Sequence, residues 1–266
     1  MNFFSLEGKV ALVIGGTRGI GEGIATGLSE AGADVVIVSR HQDGSDEAAK
    51  RITEYTHRET FGMVADVASR ESVETLVKEV WEKFGHIDIL VNGAGVNIRK
   101  DTIEVSEEEW DHVQNVQLKG TFFACQTVGR YMIENGIKGK IINISSIDSL
   151  VVSQSNIISY MAAKGAITQI TKSLAVEWAE KGICVNAIAP GYFQTVMTKP
   201  LFENKVIREQ LLSNIPQKRF GSPYKDIAGL AIYLASDSSN YTTGQSICVD
   251  GGYTSVSYTH LTLPTT

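Results

Sequence analysis

The sequence predicts an α/β fold: a single doubly wound parallel sheet of the Rossmann type, with helices on both faces. Two observations predict it. Short runs rich in Val, Ile and Ala, most of them apolar on both faces as buried parallel strands are, alternate with longer stretches of helical periodicity. The first run also stops at a glycine cluster that opens into a helical stretch, the start of a βαβ unit.

Taken in order, Val10–Ile14 is the first strand, and Ile20, Ile24, Leu28 and Ala31 then recur at helical spacing. Further strands are expected at 35–38, 61–65, 87–91, 140–144, 184–189 and 246–249. Helices are expected at 46–57, 69–84, 106–135, 159–181 and 225–234. No Pro-, Gly- or Ser-rich linker and no repeat divides the chain, so residues 1–254 are expected to form one domain. Residues 192–214 have no clear strand and only a mixed helical pattern, which suits a binding loop or lid. Residues 255–266 carry no periodicity and resemble translated sequencing-adapter sequence more than a natural protein end.

The chain has 266 residues, 43% of them hydrophobic, and a net charge of -6, which suits a packed globular protein and argues against a nucleic-acid partner. No apolar stretch approaches the roughly 18 residues that span a membrane, and no leader pattern is present, so a cytoplasmic protein is expected. Cys125, Cys184 and Cys248 are odd in number and far apart, as in a reducing compartment, and exclude a Cys-x-x-Cys site. The histidines show no ligand spacing, so no metal is expected.

Three motifs carry chemistry. Tyr160 and Lys164 stand four apart; on a helix they share a face, and the ammonium can favour the ionised phenol, giving an acid/base group. The alternative is an accidental surface pair. Gly15, Gly19 and Gly21 form a turn that lets a pyrophosphate approach the helix N-terminus, and Thr17, Arg18 and Ile20 belong to it; glycines also simply cap and turn. The second strand ends in Ser39 and Arg40, with Arg40 19 residues beyond Gly21, where arginine accommodates a ribose 2′-phosphate and an acid would bind the free hydroxyls. Arg40, with Arg18, therefore favours NADP(H), NAD(H) being the second choice. The alternative is two solvated arginines.

On these residues the chain resembles the short-chain dehydrogenase/reductase family, from about Leu6 to Gly252. The family's adenine-contacting Asp matches Asp66, followed by Val67, and its Asn-Asn-Ala-Gly appears as Asn92-Gly93-Ala94-Gly95. Its serine matches Ser146, with Ser145 and Ser149 as competitors, and its Tyr-x-x-x-Lys matches Tyr160 and Lys164. Its Pro-Gly matches Pro190 and Gly191, followed by Tyr192, Phe193 and Thr195, the last at the nicotinamide amide. The resemblance implies that Tyr160 exchanges the hydroxyl proton, Ser146 bonds the substrate oxygen, and Lys164 holds the nicotinamide ribose. Phe193 is expected to join the cofactor site and Tyr192 the substrate site. It also implies a homotetramer joined through the two long helices that precede and contain Tyr160.

The chain departs from the family at Ile14, Gly93 and Gln117, where the family has Thr, Asn and a relay-holding Asn. Gln117 is expected to impair or rearrange that relay, or to be purely structural. Ser146 and Tyr160 are 14 residues apart, one more than the family's spacing, and a small bulge is expected to absorb the difference. Residues 84–90 and 95–100 are similar to the gluconate 5-dehydrogenase and 2-deoxy-gluconate 3-dehydrogenase branch, which implies a sugar-acid substrate. Arg99 suits its carboxylate, unless it pairs with Asp101 or Glu104. The alternatives are a 3-oxoacyl-thioester reductase and a non-catalytic NADP(H) sensor or scaffold.

Overall fold

Strands buried on both faces have no solvent side, and the sheet shows this directly. In the computed structural model, which describes residues 3–196 and 198–256, seven parallel strands run in the order β3-β2-β1-β4-β5-β6-β7. They are β1 (Val10–Ile14), β2 (Asp34–Ser39), β3 (Thr60–Val64), β4 (Ile89–Asn92), β5 (Lys140–Ile144), β6 (Cys184–Pro190) and β7 (Ser246–Val249). Every residue of β1, β4, β5 and β6 is buried, which is why these segments read as mostly apolar runs, with Asn92, Lys140, Asn143 and Asn186 as buried polar exceptions. The order reverses between β1 and β4, so a crevice opens beyond their carboxyl ends.

The helices are α1 (Gly19–Glu30), α2 (Gln42–Thr56), α3 (Arg70–Phe84), α4 (Glu107–Gln114), α5 (Gly120–Glu134), α6 (Ile158–Trp178), α7 (Lys199–Glu203), α8 (Lys205–Asn214) and α9 (Ala228–Ala235). One face of the sheet packs on α1, α2 and α9 through Ile24, Leu28, Ile52 and Leu234. The other packs on α3, α5 and α6 through Leu76, Val128, Leu174 and Trp178. Among the described residues, no helix is long and apolar enough to cross a membrane.

Three segments differ from expectation. The helix expected at 106–135 begins at a capping box between Ser106 and Glu109 but is interrupted by a π turn, Asn115–Lys119, which no periodicity count would reveal. Residues 192–214 hold two helices, α7 and α8. The Asn204 side chain caps α8 by accepting from the Val206 and Ile207 amides. Their pattern is mixed because they face a small satellite core of Ile147, Tyr192, Leu211, Ile215 and Tyr253 and not the sheet. The extra residue before Tyr160 makes no bulge in β5, which keeps its register with β6 throughout. It is taken up in the loop after it, where Asn156 adopts a left-handed φ of 59°. Of the expected tail, residues 257–266 lie outside the described residues.

The turn from β1 into α1 has no room for a side chain. A Cβ on Gly21 would lie 2.1 Å from the Gly15 carbonyl oxygen, and one on Gly15, whose φ is 79°, would lie 2.5 Å from the Ala94 nitrogen. Gly21→Ala is therefore expected to cost ~1–3 kcal/mol in urea denaturation, and an unchanged midpoint would show that the turn can yield without cost.

Candidate active site

The carboxyl end of β5 delivers two serines that are used differently. Ser145 is buried; its hydroxyl donates to the Lys164 carbonyl at 3.2 Å and shares a 2.9 Å hydrogen bond with Thr168, pinning the strand end to α6. Ser146 caps a short 3₁₀ turn, Ile147–Ser149, by accepting from the Asp148 amide at 3.1 Å, and it lies close enough to the Tyr160 phenol to oppose the rise of its pKa. Ser149 turns back onto the Ser146 carbonyl. Of the three, Ser146 alone meets the tyrosine.

Tyr160 and Lys164 share one face of α6 as their spacing predicts, with the ammonium nitrogen 5.4 Å from the ring centroid. The expected lowering of the phenol pKa is not what the surroundings produce. Burial pushes the Tyr160 phenol up to about 12; the Asp148 charge adds to this, while Ser146 and Arg99 oppose it. Burial also drives the Lys164 amine down to about 7, and its nitrogen donates to the Ile144 carbonyl at 2.7 Å. In this state the phenol is a loaded proton donor.

A chain of side-chain hydrogen bonds leads away from Ser146. The Ser146 hydroxyl donates to Asp148 Oδ2 at 3.1 Å, and Ser153 donates to Asp148 Oδ1 at 2.5 Å. The Tyr192 hydroxyl donates to Ser153 at 3.2 Å and accepts from Gln154 at 3.2 Å; Gln154 in turn accepts from Arg99 at 2.5 Å. Arg99 thus bonds an amide and neither Asp101 nor Glu104, and it enters no ion pair among the described residues. Asp148, Ser153 and Gln154 were not expected from the sequence. They are three of eight polar residues in the loop 145–157 that follows β5, and nothing in the sequence sets them apart from the other five.

The nucleotide end of the crevice fits a dinucleotide. Gly15 and Gly19 take positive φ, Arg18 at the N-cap of α1 makes no side-chain capping bond, and the first amides of that helix are free to meet a phosphate. A Cβ on Gly19 would stand 3.2 Å from the Thr195 side chain, so the turn and the segment after β6 close on the same space. Arg51 braces the turn through the Thr17 carbonyl and Glu22. Arg18 and Arg40 are exposed and form no ion pair among the described residues, while Ser39 bonds back to His41 and Ser45. Asp66 is exposed beyond β3, accepting from the Ala68 amide, and Ile20 packs on the α1 core. Ala94 borders the turn, Gly95 lies against Gln117, and Gly191, after Pro190, lies against Asp250.

Three expected cofactor contacts can be made only through backbone. The Asn92 amide is buried and donates to Asn143 and Cys125 inside the core. Val67 and Phe193 are 6% and 2% exposed, the first packed on Gly120 and the second on Gly221. Gln117 is fully buried in the π turn, and its amide donates to the Val96 carbonyl at 2.7 Å. Its extra methylene carries the amide to that loop, and no bond to Tyr160 or Lys164 is present.

The sequence profile of the family described as enoyl-(acyl carrier protein) reductase matches residues 14–254. A 2-dehydro-3-deoxy-D-gluconate 5-dehydrogenase of Dickeya dadantii is 43% identical over 253 residues, 95% of this chain and 98% of that protein. The crystal structure of a short-chain type dehydrogenase/reductase from Mycobacterium marinum is 33% identical with a TM-score of 0.90, covering 95% of this chain and 98% of that one. This chain belongs to the short-chain dehydrogenase/reductase family. Within that family it is also similar to the gluconate 5-dehydrogenase from Burkholderia cenocepacia crystallised in complex with NADP and tartrate. That structure is 38% identical with a TM-score of 0.91, covering 96% of this chain and 99% of that one.

The buried amine gives this dehydrogenase a pH signature. Between the folded value of about 7 for Lys164 and the unfolded value of about 10.4, the unfolded chain binds a proton that the folded chain does not, so stability rises with pH. Tyr160 acts in the opposite sense only above its unfolded value of about 10. In urea titrations of the ligand-free protein from pH 7 to pH 9, the wild type should gain on Lys164→Met by up to ~1.4 kcal/mol per pH unit. Parallel curves for the two proteins would contradict a neutral buried amine.

Proposed function

We propose that this chain is an NADP(H)-dependent oxidoreductase that interconverts a secondary alcohol and a ketone on a sugar acid of the gluconate and keto-gluconate kind. One domain, residues 1–254, carries the activity. The observation that carries the reading is Arg99: a guanidinium with no acidic partner among the described residues, linked by hydrogen bonds to the Ser146–Tyr160 pair at the carboxyl end of the sheet. A planar fork in that position matches a carboxylate. The relatives named for 2-dehydro-3-deoxy-gluconate and gluconate lend the same substrate class.

In reduction, Tyr160 gives its proton to the ketone oxygen while Ser146 holds that oxygen in place. The negative charge left on the phenol favours protonation of the Lys164 amine beside the ring, which then offsets it, and Lys164 is available to the ribose hydroxyls of the nicotinamide. The chemistry the nicotinamide supplies is hydride transfer. Arg40 and Arg18 favour the 2′-phosphate, so NADP(H) is the preferred cofactor and NAD(H) the second. Gln117 acts as a positioning residue that holds the Val96 loop. The three cysteines are free, in keeping with a cytoplasmic location, and the exposed Trp110, Ile158 and Val176 on the α4 and α6 surfaces support assembly as a homotetramer. The 3-oxoacyl-thioester reductase remains the nearest alternative substrate class. The sensor reading gives no account of the Ser146–Tyr160–Lys164 grouping.

Following NADPH consumption with 5-keto-gluconate, 2-keto-gluconate and an acetoacetyl thioester separates these readings. Turnover is expected on a keto-gluconate; turnover on the thioester alone would overturn the substrate class, and tight NADPH binding without turnover on any ketone would favour the sensor. Tyr160→Phe is expected to lower kcat by about a thousandfold while NADPH still quenches protein fluorescence at the wild-type concentration. Retained turnover in that variant would remove Tyr160 from the chemistry. Arg40→Ala is expected to raise KM for NADPH about tenfold and leave that for NADH nearly unchanged. Equal changes for both cofactors would withdraw the 2′-phosphate assignment.

A further inference from the structure

Asp148 has no part in the proton transfer, yet its carboxylate stands at the reacting end of the crevice. A carboxylate offers about four acceptor positions. Three are taken: Oδ1 accepts from the Ser153 hydroxyl and amide, and Oδ2 accepts from the Ser146 hydroxyl. One remains, on the oxygen that lies 3.1 Å from Ser146 Oγ, and a second opens there when the Ser146 hydroxyl turns from Asp148 to the substrate oxygen. Two oxygens on adjacent carbons of a sugar chain are also about one hydrogen-bond length apart. A substrate whose reacting oxygen meets Ser146 and Tyr160 therefore brings its neighbouring oxygen to Asp148.

We infer that Asp148 is a substrate-specificity residue of this site: its free acceptor position takes a hydroxyl on the carbon next to the reacting carbon. The site then selects α-hydroxy ketones, and the corresponding vicinal diols, over plain ketones. The selection is by chemistry, not size. A hydroxyl can donate to this carboxylate, whereas a methylene leaves a desolvated acceptor unpaired, and a site built to bond a hydroxyl discriminates strongly against the analogue that lacks one. The Asp148 charge raises the pKa of both Tyr160 and Tyr192, which places it electrostatically between the reacting centre and the wall of the crevice.

The same carboxylate orients the substrate. A substrate carboxylate cannot share the position beside Asp148, because like charges repel there. The cation available to it is Arg99, at the far end of the Asp148–Ser153–Tyr192–Gln154 chain. The reacting carbon is thus separated from the acid group and flanked by a hydroxylated carbon. This inference rests on the assignment of Ser146 and Tyr160 to the reacting oxygen, and not on the sugar acid itself.

A matched pair of ketones without a carboxylate tests it: erythrulose, which carries hydroxyls beside its carbonyl, and butan-2-one, which carries none. Measured with NADPH on the full chain, wild-type kcat/KM should favour erythrulose. In Asp148→Ala and Asp148→Asn that preference should fall about tenfold or more. Asn fills the same volume but lacks the charge and replaces one acceptor oxygen with a donor, so the test survives if the Ala variant fails to fold; NADPH quenching reports folding in both. An equal loss on both ketones, or an unchanged preference, overturns the inference, as does a wild type that reduces neither. If keto-gluconate is not turned over but the erythrulose preference is present and depends on Asp148, the sugar-acid reading falls and the role of Asp148 stands.

Discussion

The site depends on one tie between strand and helix. The Lys164 amine, 4% exposed, reaches back across the fold to the carbonyl of Ile144, the last residue of β5, while Ser145 returns a hydrogen bond to the Lys164 carbonyl. A strand end is otherwise a place where backbone groups lose their ladder partners. Here the lost partner is replaced by a side chain from the helix that carries Tyr160. Strand and helix are thereby set in register, and Ser146, one residue further along, meets the phenol four residues earlier on α6. The desolvation of the amine that depresses its pKa follows from making this tie in the interior.

Beneath that tie runs a buried polar ladder. The Asn92 amide donates to Asn143 at 2.9 Å, and the Asn143 amide donates to the Thr171 hydroxyl at 2.9 Å, with the Cys125 sulfur beside both asparagines. It joins the ends of β4 and β5 to α5 and α6. In a low-dielectric interior such bonds are strong when all partners are satisfied and costly when one is removed, so the ladder fixes how far apart the two strand ends can stand. That spacing decides whether the loop after β4, which carries Arg99, and the turn after β5, which carries Ser146 and Asp148, face one substrate. It also explains why Asn92 is turned inward although its position in the chain suggests a cofactor ligand.

The elements were legible where one physical demand dominates. β1 and β5 fall where their largely apolar runs place them, because these strands are buried on both sides. Tyr160 and Lys164 share a face because the period of the helix requires it. The legibility failed where two demands compete. Four-residue spacing brings a cation near the phenol, but the same burial that makes the pair useful removes water from both, and desolvation outweighs the attraction. The chain through Asp148, Ser153, Tyr192 and Gln154 was hidden for another reason. Its members come from two loops 38 residues apart, and only the return of β6 beside β5 brings them together.

The π turn is the clearest case of a local irregularity that serves the site. Asn115–Lys119 widens the helix at the position where relatives by resemblance carry asparagine, and the wider turn holds Gln117 with its amide on the Val96 carbonyl. The fit requires a glycine opposite: a Cβ on Gly95 would stand 3.1 Å from Gln117 Nε2, which cannot move without losing Val96. Gln117 Oε1 meanwhile has no hydrogen-bond partner, a cost that a glutamine chosen only to fill space would avoid. The longer side chain and the bare glycine therefore belong to one arrangement, in which the helix holds the loop that borders the cofactor turn. The substitution of Gln for Asn changes what the residue grips: its amide holds the Val96 carbonyl in the loop after β4.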